Sequence, residues 1–460
     1  MTTTRAGALV ISLFVVVSAC SVSTPRNQSA SVRAAAGRVN PDGTISYDAT
    51  TGAGSTVDGS AGSPALAGGS AQAATGGDRA ATAEQTGTAG VAATSGGDST
   101  GVTADTITVS IVAGFSGPLA ALVNKAYEAM QTWQEDVNEA GGIHGRRVIL
   151  KQVDHKETAA GGVAACKEVQ SNGSFFAAVP EGVEANVTAV DCLDAAGIPT
   201  VYYAAATNPN WKRAFADLIT SAQGGRIMAS YVRNHLGGAS KKVGVIYVNQ
   251  AAYKDVLDTF EPEARNLGLD IASTESVEPN QASFTSQLLK MKNAGVEILV
   301  VSATTEAIGI VRDARSMGWN VAITGWGYMF DFVTAAGHEL FKGVTGLRPY
   351  ATVDSASYET YRQHMNNRGR NRDDRTTDLE GFVTYGRALL YGEMLVRAGA
   401  NPTRESFIAG VETIANYENG IVPPMTYSAD DHVGASAAFP VVCCNSDFTW
   451  QSTGPAQEQF

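Results

Sequence analysis

The sequence predicts an α/β protein with two similar lobes, each built on a doubly wound parallel sheet, behind an irregular N-terminal tether. Runs of β-branched residues alternate with helix-periodic runs from about Asp105 onward. Strands alternating with helices imply parallel sheets built from βαβ units. The alternation comes in two successive sets, which points to two lobes. Before about residue 103 neither period is present.

In the first set, DTITVSIV (Asp105 to Val112) alternates as a strand. After GFSGP, the residues Leu122, Ala126, Met130, Trp133 and Val137 recur at steps of three and four, one face of a helix. VILKQVD (Val148 to Asp154) is the next strand. FFAAV (Phe175 to Val179), a helix over Ala185 to Ala195 and IPTVYY (Ile198 to Tyr203) repeat the scheme.

Between helix and strand lies NEAGGIHGRR (Asn138 to Arg147), whose glycines and histidine suggest a reactive or phosphate-binding loop. A phosphate loop belongs at a helix N-terminus, where free N–H groups and the dipole favour anions. This loop follows a C-terminus, where glycine takes the left-handed position. It is therefore a turn, and His144 is expected to be a solvated part of it.

In the second set, VGVIYV (Val243 to Val248) is a strand, and a helix begins near Tyr253 and meets Pro262, an expected kink. Ser283 is the expected N-cap of a helix faced by Phe284, Leu288 and Met291 and closed by Gly295. ILVV (Ile298 to Val301) is a strand. Ile308 and Val311 mark a helix ended by Gly318, and VAIT (Val321 to Thr324) is the next strand.

The N-terminus has its own chemistry. MTTTR, then AGALVISLFVVV, then SAC gives a cation, a short apolar run and small residues, the pattern of a secretory signal peptide. The apolar run is too short to span a bilayer stably. Val17-Ser18-Ala19-Cys20 resembles the bacterial lipobox, which implies lipid on the Cys20 sulfur. The alternative is an ordinary signal peptide with a chance cysteine. From Ser21 to about Gly101 the chain is rich in Gly, Ala, Ser and Thr, as in GAGSTVDGSAGSPALAGGSAQAATGGDRAAT. Such a segment buries too little apolar surface to offset its ordering entropy. As a flexible coil of about 80 residues it would span on the order of 50 Å. NPDGTISY (Asn40 to Tyr47) within it suits a local turn.

Composition excludes more than it assigns. The net charge of −12 argues against a nucleic-acid binder, which needs a basic face. No Walker-type phosphate loop, H-E-x-x-H or C-x-x-C occurs, and the 6 histidines are scattered without metal-ligand spacing. Neither an enzyme nor a cofactor is expected.

SGPLA (Ser116 to Ala120), NEAGGIHGR, GIPTVYYAAATNP (Gly197 to Pro209), KKVGVIYVNQAAY (Lys241 to Tyr253), SFTSQLLKMKNAGVEILVV (Ser283 to Val301) and RDARSMGWN (Arg312 to Asn320) follow in order. Together they resemble the leucine/isoleucine/valine-binding type of periplasmic solute-binding protein. The likeness runs from about Asp105 to the C-terminus. It implies the type I periplasmic-binding fold, with lobes joined by three crossover strands near Thr220, Tyr350 and Phe439. The N-terminal pattern and lipobox likeness make residues 1–19 a signal peptide and 20–103 a lipid-anchored linker. Residues 104–219 with 351–438 form the N-terminal lobe, and 220–350 with 439–460 the C-terminal lobe. The resemblance further implies delivery of a small solute to an ABC permease from the outer face of the cytoplasmic membrane, by a chain expected to be monomeric. Other readings are a membrane-tethered ligand sensor and a degenerate, non-binding envelope protein.

Carried over position by position, the ligand would meet Phe115 and Ser116, then Glu181 and Gly182 in the Pro180–Ala185 loop, and Ala205, Ala206 and Thr207. From the other lobe would come Tyr253, Thr304 within Ser302 to Thr305, Trp326 and Tyr328. Thr207 otherwise caps the helix start near Asn208, while Tyr253 and Trp326 otherwise pack within their lobe. The chain departs from the amino-acid-binding pattern at two places. PEGVEA lacks the loop hydroxyl, and Gly327 stands near the position of an expected acid. A buried α-ammonium needs a partner. Either Glu181 or Asp331 supplies it, or the ligand is an amide, a small carboxylate or an aromatic compound. Cys166 and Cys192, in helices flanking one strand, are expected to form a disulfide. Cys443 and Cys444 are either separate thiols or a vicinal pair.

Overall fold

The computed structural model describes residues 97–458 apart from 118–119, 181–183, 204–207, 327–338, 372–378 and 445–449, together with two short strands upstream. Those strands, β1 (Arg38–Val39) and β2 (Ile45–Ser46), pair antiparallel, with β2 inside the Asn40–Tyr47 segment where a turn is expected.

The first lobe holds β3 (Thr106–Ala113), β4 (Arg147–Asp154), β5 (Phe176–Val179), β6 (Thr200–Tyr202) and β7 (Ala214–Ala216) in the order β4-β3-β5-β6-β7. All their pairings are parallel. Counted along the chain this is 2-1-3-4-5. The order reverses between β3 and β5, where a ligand crevice opens in such sheets. Period-two alternation sends Ile107, Val109 and Ile111 to one apolar layer and Val112 to the other. On one face lie α2 (Ala159–Asn172) and α3 (Glu184–Ala195). The other is covered by α1 (Ala120–Glu139) and by helices that arrive much later in the sequence. Met130, Trp133 and Val137 of α1 are buried as the periodicity requires, whereas Leu122 and Ala126 are half-buried.

The second lobe repeats the plan. It contains β8 (Lys242–Val248), β9 (Asp270–Val277), β10 (Ile298–Ser302), β11 (Ala322–Trp326) and β12 (Thr345–Arg348). Their order is β9-β8-β10-β11-β12, again 2-1-3-4-5, with parallel pairings throughout. Helices α4 (Ser221–His235) and α5 (Ala251–Asn266) cover one face; α6 (Thr285–Asn293) and α7 (Glu306–Ser316) cover the other. Beyond β12 the sheet gains the antiparallel β13 (Ala437–Cys443), with β14 (Trp450–Ser452) and β15 (Gln457–Glu458) on it.

The chain passes between the lobes after β7, after β12 and before β13. Between the last two passages it returns to the first lobe as α8 (Ala356–Asn367), α9 (Leu379–Arg397) and α10 (Arg404–Val411). Helix α9 lies along α1 and is buried on nearly every side. This is the expected two-lobed architecture.

Helices run antiparallel to the strands, so their C-termini gather at the strands' amino ends. Lysines close them in the second lobe: Lys241 Nζ donates to Leu236 O (3.0 Å), Lys242 Nζ to Ala294 O (3.2 Å) and Lys292 Nζ to Met317 O (2.9 Å). Cations there satisfy orphan carbonyls and suit the helix dipole. A hollow of about 420 Å³ on this edge, lined by Lys241, Arg315 and Lys342, therefore reflects helix closure and lies away from the strand carboxyl ends.

Three local expectations change. His144 sits at φ +48°, half-buried, with Nε2 2.8 Å from the Val396 carbonyl oxygen. The returning α9 covers the turn, so His144 is a packed contact and not a solvated one. Helix α6 begins at Thr285 with Phe284 in the N-cap position, one residue later than Ser283 implies. Pro262 does not interrupt helix α5, which is assigned continuously from Ala251 to Asn266.

Helix α4 approaches β11 closely because Gly224 has no side chain. A Cβ there would lie 2.1 Å from Cζ2 of Trp326, itself 5% exposed. Gly224→Ala should therefore lower unfolding stability by about 1–3 kcal/mol through overpacking. Urea denaturation with an unchanged m-value checks this.

Candidate functional site

Of the residues expected at a ligand cleft, Phe115, Ser116, Tyr253, Thr304 and Trp326 are among the described residues, at or just beyond the carboxyl ends of strands or in the helix that follows one. Strand β3 ends at Ala113 and hands on to Phe115 and Ser116. Phe115 meets Tyr127 of α1 edge-on, with centroids 5.3 Å apart. Ser116 is exposed, and its Oγ donates to Asp154 Oδ2 at 2.5 Å. Burial works against the Asp154 charge, but hydrogen bonds from Ser116 and from the Lys156 N–H hold its carboxyl below the usual range.

The opposite lobe places Tyr253 in the first turn of α5 and Thr304 just beyond β10. These adjacent strands bring Tyr253 Oη and Thr304 Oγ1 to 2.8 Å, and Ser302 Oγ donates to the Tyr253 carbonyl at 3.3 Å. Both groups lie at this sheet's own order reversal, between β8 and β10. Trp326 ends β11 but is buried against α4, as above. Glu306, near the same edge, already accepts from the Asn280 N–H and Thr305 Oγ1, each at 3.0 Å. Glu181, Gly182, Ala205, Ala206, Thr207, Tyr328 and Asp331 lie outside the described residues.

Sequence reasoning missed a buried polar centre at the same edge of the first lobe. Arg387 projects from the apolar α9, with a side chain 4% exposed. Its Nε donates to Asp217 Oδ2 (2.8 Å) and its Nη1 to the Pro180 carbonyl (2.7 Å). The guanidinium also lies 5.8 Å from the centroid of the Tyr203 ring. Tyr391, one turn along α9, donates its hydroxyl to the same Asp217 oxygen at 2.6 Å. Pro180 follows β5, Tyr203 follows β6 and Asp217 opens the first passage between lobes. One cation thus ties three segment roots together. Burial penalises it, but Asp217 more than offsets this and keeps its pKa above the ordinary arginine value. Burial likewise pushes the Tyr391 hydroxyl up, so it acts as a neutral donor. The available signal was a lone arginine inside GFVTYGRALLYGEMLV, where a buried cation demands a buried anion.

This edge offers hydroxyls, aromatic faces and backbone amides. No group of His, Cys, Asp and Glu among the described residues is arranged to hold a metal ion. The arrangement suits reversible capture of a small polar molecule.

Comparison with known proteins agrees with the architecture. A profile of the family described as periplasmic binding protein matches residues 106–447. The Leu/Ile/Val-binding protein homolog 3 of Brucella melitensis is 30% identical over 226 residues, 48% of this chain and 60% of that relative. The chain thus spans well under two thirds of that relative's length. The substrate-binding protein LivJ of Streptococcus pneumoniae, solved in complex with isoleucine, superposes with TM-score 0.58 at 20% identity, covering 76% of this chain and all of that one (100%). A fatty acid ABC transporter substrate-binding protein from Thermomonospora curvata gives TM-score 0.59 at 20% identity, over 78% and 94% of the two chains. At such identities the structural likeness shows the fold alone.

Removing the Arg387 cation should leave Asp217 buried and unpaired. Arg387→Met is expected to cost about 3–5 kcal/mol, and the double variant Asp217→Asn/Arg387→Met to recover most of that loss. Urea unfolding of both variants measures the difference.

Proposed function

The chain belongs to the periplasmic binding protein family, and on that premise we propose that it is an extracytoplasmic receptor that traps a small polar solute between its lobes and hands it to an ABC-type importer. The Brucella relative is named a Leu/Ile/Val-binding protein homolog, and two proteins of like fold are named transporter substrate-binding proteins. The observation carrying the reading is the coincidence of two 2-1-3-4-5 sheets whose order reversals both bear polar side chains at the strand carboxyl ends. In open α/β sheets that is where ligands bind. The reading makes the chain a carrier and not an enzyme. Its solute is an amino acid, an amide or a small carboxylate. Glu306 is engaged in the second lobe, so an α-ammonium would need Glu181 or Asp331.

We assign residues 104–219 with 351–438 to one moving body and 220–350 with 439–460 to the other. Sheet membership and the return of α9 onto α1 support this division. Solute would be clasped by Phe115, Ser116, Glu181, Gly182, Ala205, Ala206 and Thr207 on one side. Tyr253, Thr304 and Tyr328 would face it from the other, while Trp326 packs against α4 behind them.

Residues 1–19 direct secretion, Cys20 carries lipid, and residues 20–103 tether the body to the outer face of the membrane. Several acyl chains on one residue exceed the two-signal requirement for stable anchoring. An oxidising compartment suits a Cys166–Cys192 bridge. These residues stand across α2 and α3 with Cα atoms 6.0 Å apart, and closing that loop would contribute about 3–4 kcal/mol in the loop-entropy account.

A chain begun after Cys20 should show a thermal shift with some member of a panel of amino acids, amides, small carboxylates and aromatic acids. At 100-fold its Kd a binder adds about 2.7 kcal/mol of stability. A flat response across the panel contradicts the receptor reading.

A further inference from the structure

Helix α3 follows directly on the β5 loop, beside the first lobe's order reversal. Its third residue is Asn186, 3% exposed, whose Nδ2 and Oδ1 both lack a protein hydrogen-bond partner. Buried side-chain amides in native proteins are almost always hydrogen-bonded, and an unmatched one destabilises the fold. Asn186 is unmatched at both ends.

Its direction follows from the helix. Val190 and Leu193 lie four and seven residues on, along the same stripe, and are buried with Val179 and Tyr202 under α3. Asn186 continues that stripe one turn closer to the strand carboxyl ends. Cα–Cβ bonds in a helix tilt toward its N-terminus, so the carboxamide leans toward the cleft edge. The first-turn N–H groups of α3 point the same way and have no partners within the helix.

We propose that Asn186 reads the solute, and that the solute carries a carboxamide. This deepens the receptor reading above and rests on it. The asparagine offers two donors at Nδ2 and one acceptor at Oδ1. A carboxamide matches both, its carbonyl taking Nδ2–H and its N–H reaching Oδ1. A carboxylate of the same shape satisfies the donors but sets a negative oxygen against Oδ1. Arg387, which holds the Pro180 carbonyl at the root of the loop before α3, does not favour the carboxylate, because Asp217 already balances its charge. Asn186 therefore selects amides over their matching acids.

The experiment uses the full chain, purified in detergent, with the paired probes benzamide and benzoate, isobutyramide and isobutyrate. Calorimetry should show an amide binding at least about 10-fold tighter than its acid. Asn186→Leu replaces the unmatched amide with an apolar group of similar size. It should raise Tm by about 2–4 °C while weakening the amide at least about 10-fold. Asn186→Asp keeps the volume and should lose the amide preference, so the affinity readout survives if the leucine variant folds poorly. A fall in Tm for a folded Asn186→Leu chain would show the carboxamide to be a satisfied structural group and overturn the inference. Unchanged amide affinity in both variants would do the same. A wild type that binds other solutes but prefers no amide overturns this inference alone; one that binds no small molecule sinks the receptor reading with it.

Discussion

A parallel strand can be reached only by a crossover, and that constraint organises this molecule. The helical crossovers here return antiparallel to the strands, so in each lobe the carboxyl ends of the parallel strands lie on one edge of the sheet and the helix C-termini lie on the other. The two edges differ in chemistry. At the amino edge of the second lobe, lysines close helix ends and their charges are spent on carbonyls. At the carboxyl edges stand the hydroxyls of Ser116, Tyr253 and Thr304, hydrogen-bonded to neighbouring side chains and not closing helix ends. Because both lobes share one strand order, the reversal in each presents the same kind of opening.

The carboxyl edge of the first lobe carries a further feature, an ion pair placed inside an apolar core. Arg387 and Asp217 are almost wholly buried, and such pairs often contribute little net stability over an apolar replacement. What the pair provides is connection. A residue 170 positions away in sequence from Asp217 also holds the Pro180 carbonyl, and so joins the returning α9 to the roots of the loops after β5 and β6. Apolar packing gives no comparable directional link between a helix and a backbone oxygen. Asn186 belongs to the same economy of structure and function: a polar group at the edge whose cost to folding is recovered on binding.

Much of the fold was legible because it is written locally. Period two in β3 and steps of three and four in α1 reflect which faces meet water, and a single strand or helix suffices to display them. The alternation of strand and helix then dictated parallel sheets. Contacts between distant segments were not legible. His144 reads as a loop residue until α9 folds back over it, and nothing near His144 announces Val396. The Ser283 hydroxyl fits a cap, yet the backbone begins its helix one residue on, a shift within ordinary uncertainty of helix ends. In the site, Tyr253 and Thr304 were placed by resemblance, and the parallel register of β8 and β10 explains their contact. Arg387, Asp217 and Asn186 were missed because their significance depends on burial, which the sequence does not record for an isolated polar residue.

On the proposed reading, two bodies close on a solute at their carboxyl edges. Small-angle X-ray scattering from residues 97–460, with and without a saturating concentration of a solute that shifts Tm, tests this directly. The radius of gyration should fall and the scattering profile should change shape when the solute binds. Saturating binding that leaves the profile unaltered would contradict closure between lobes.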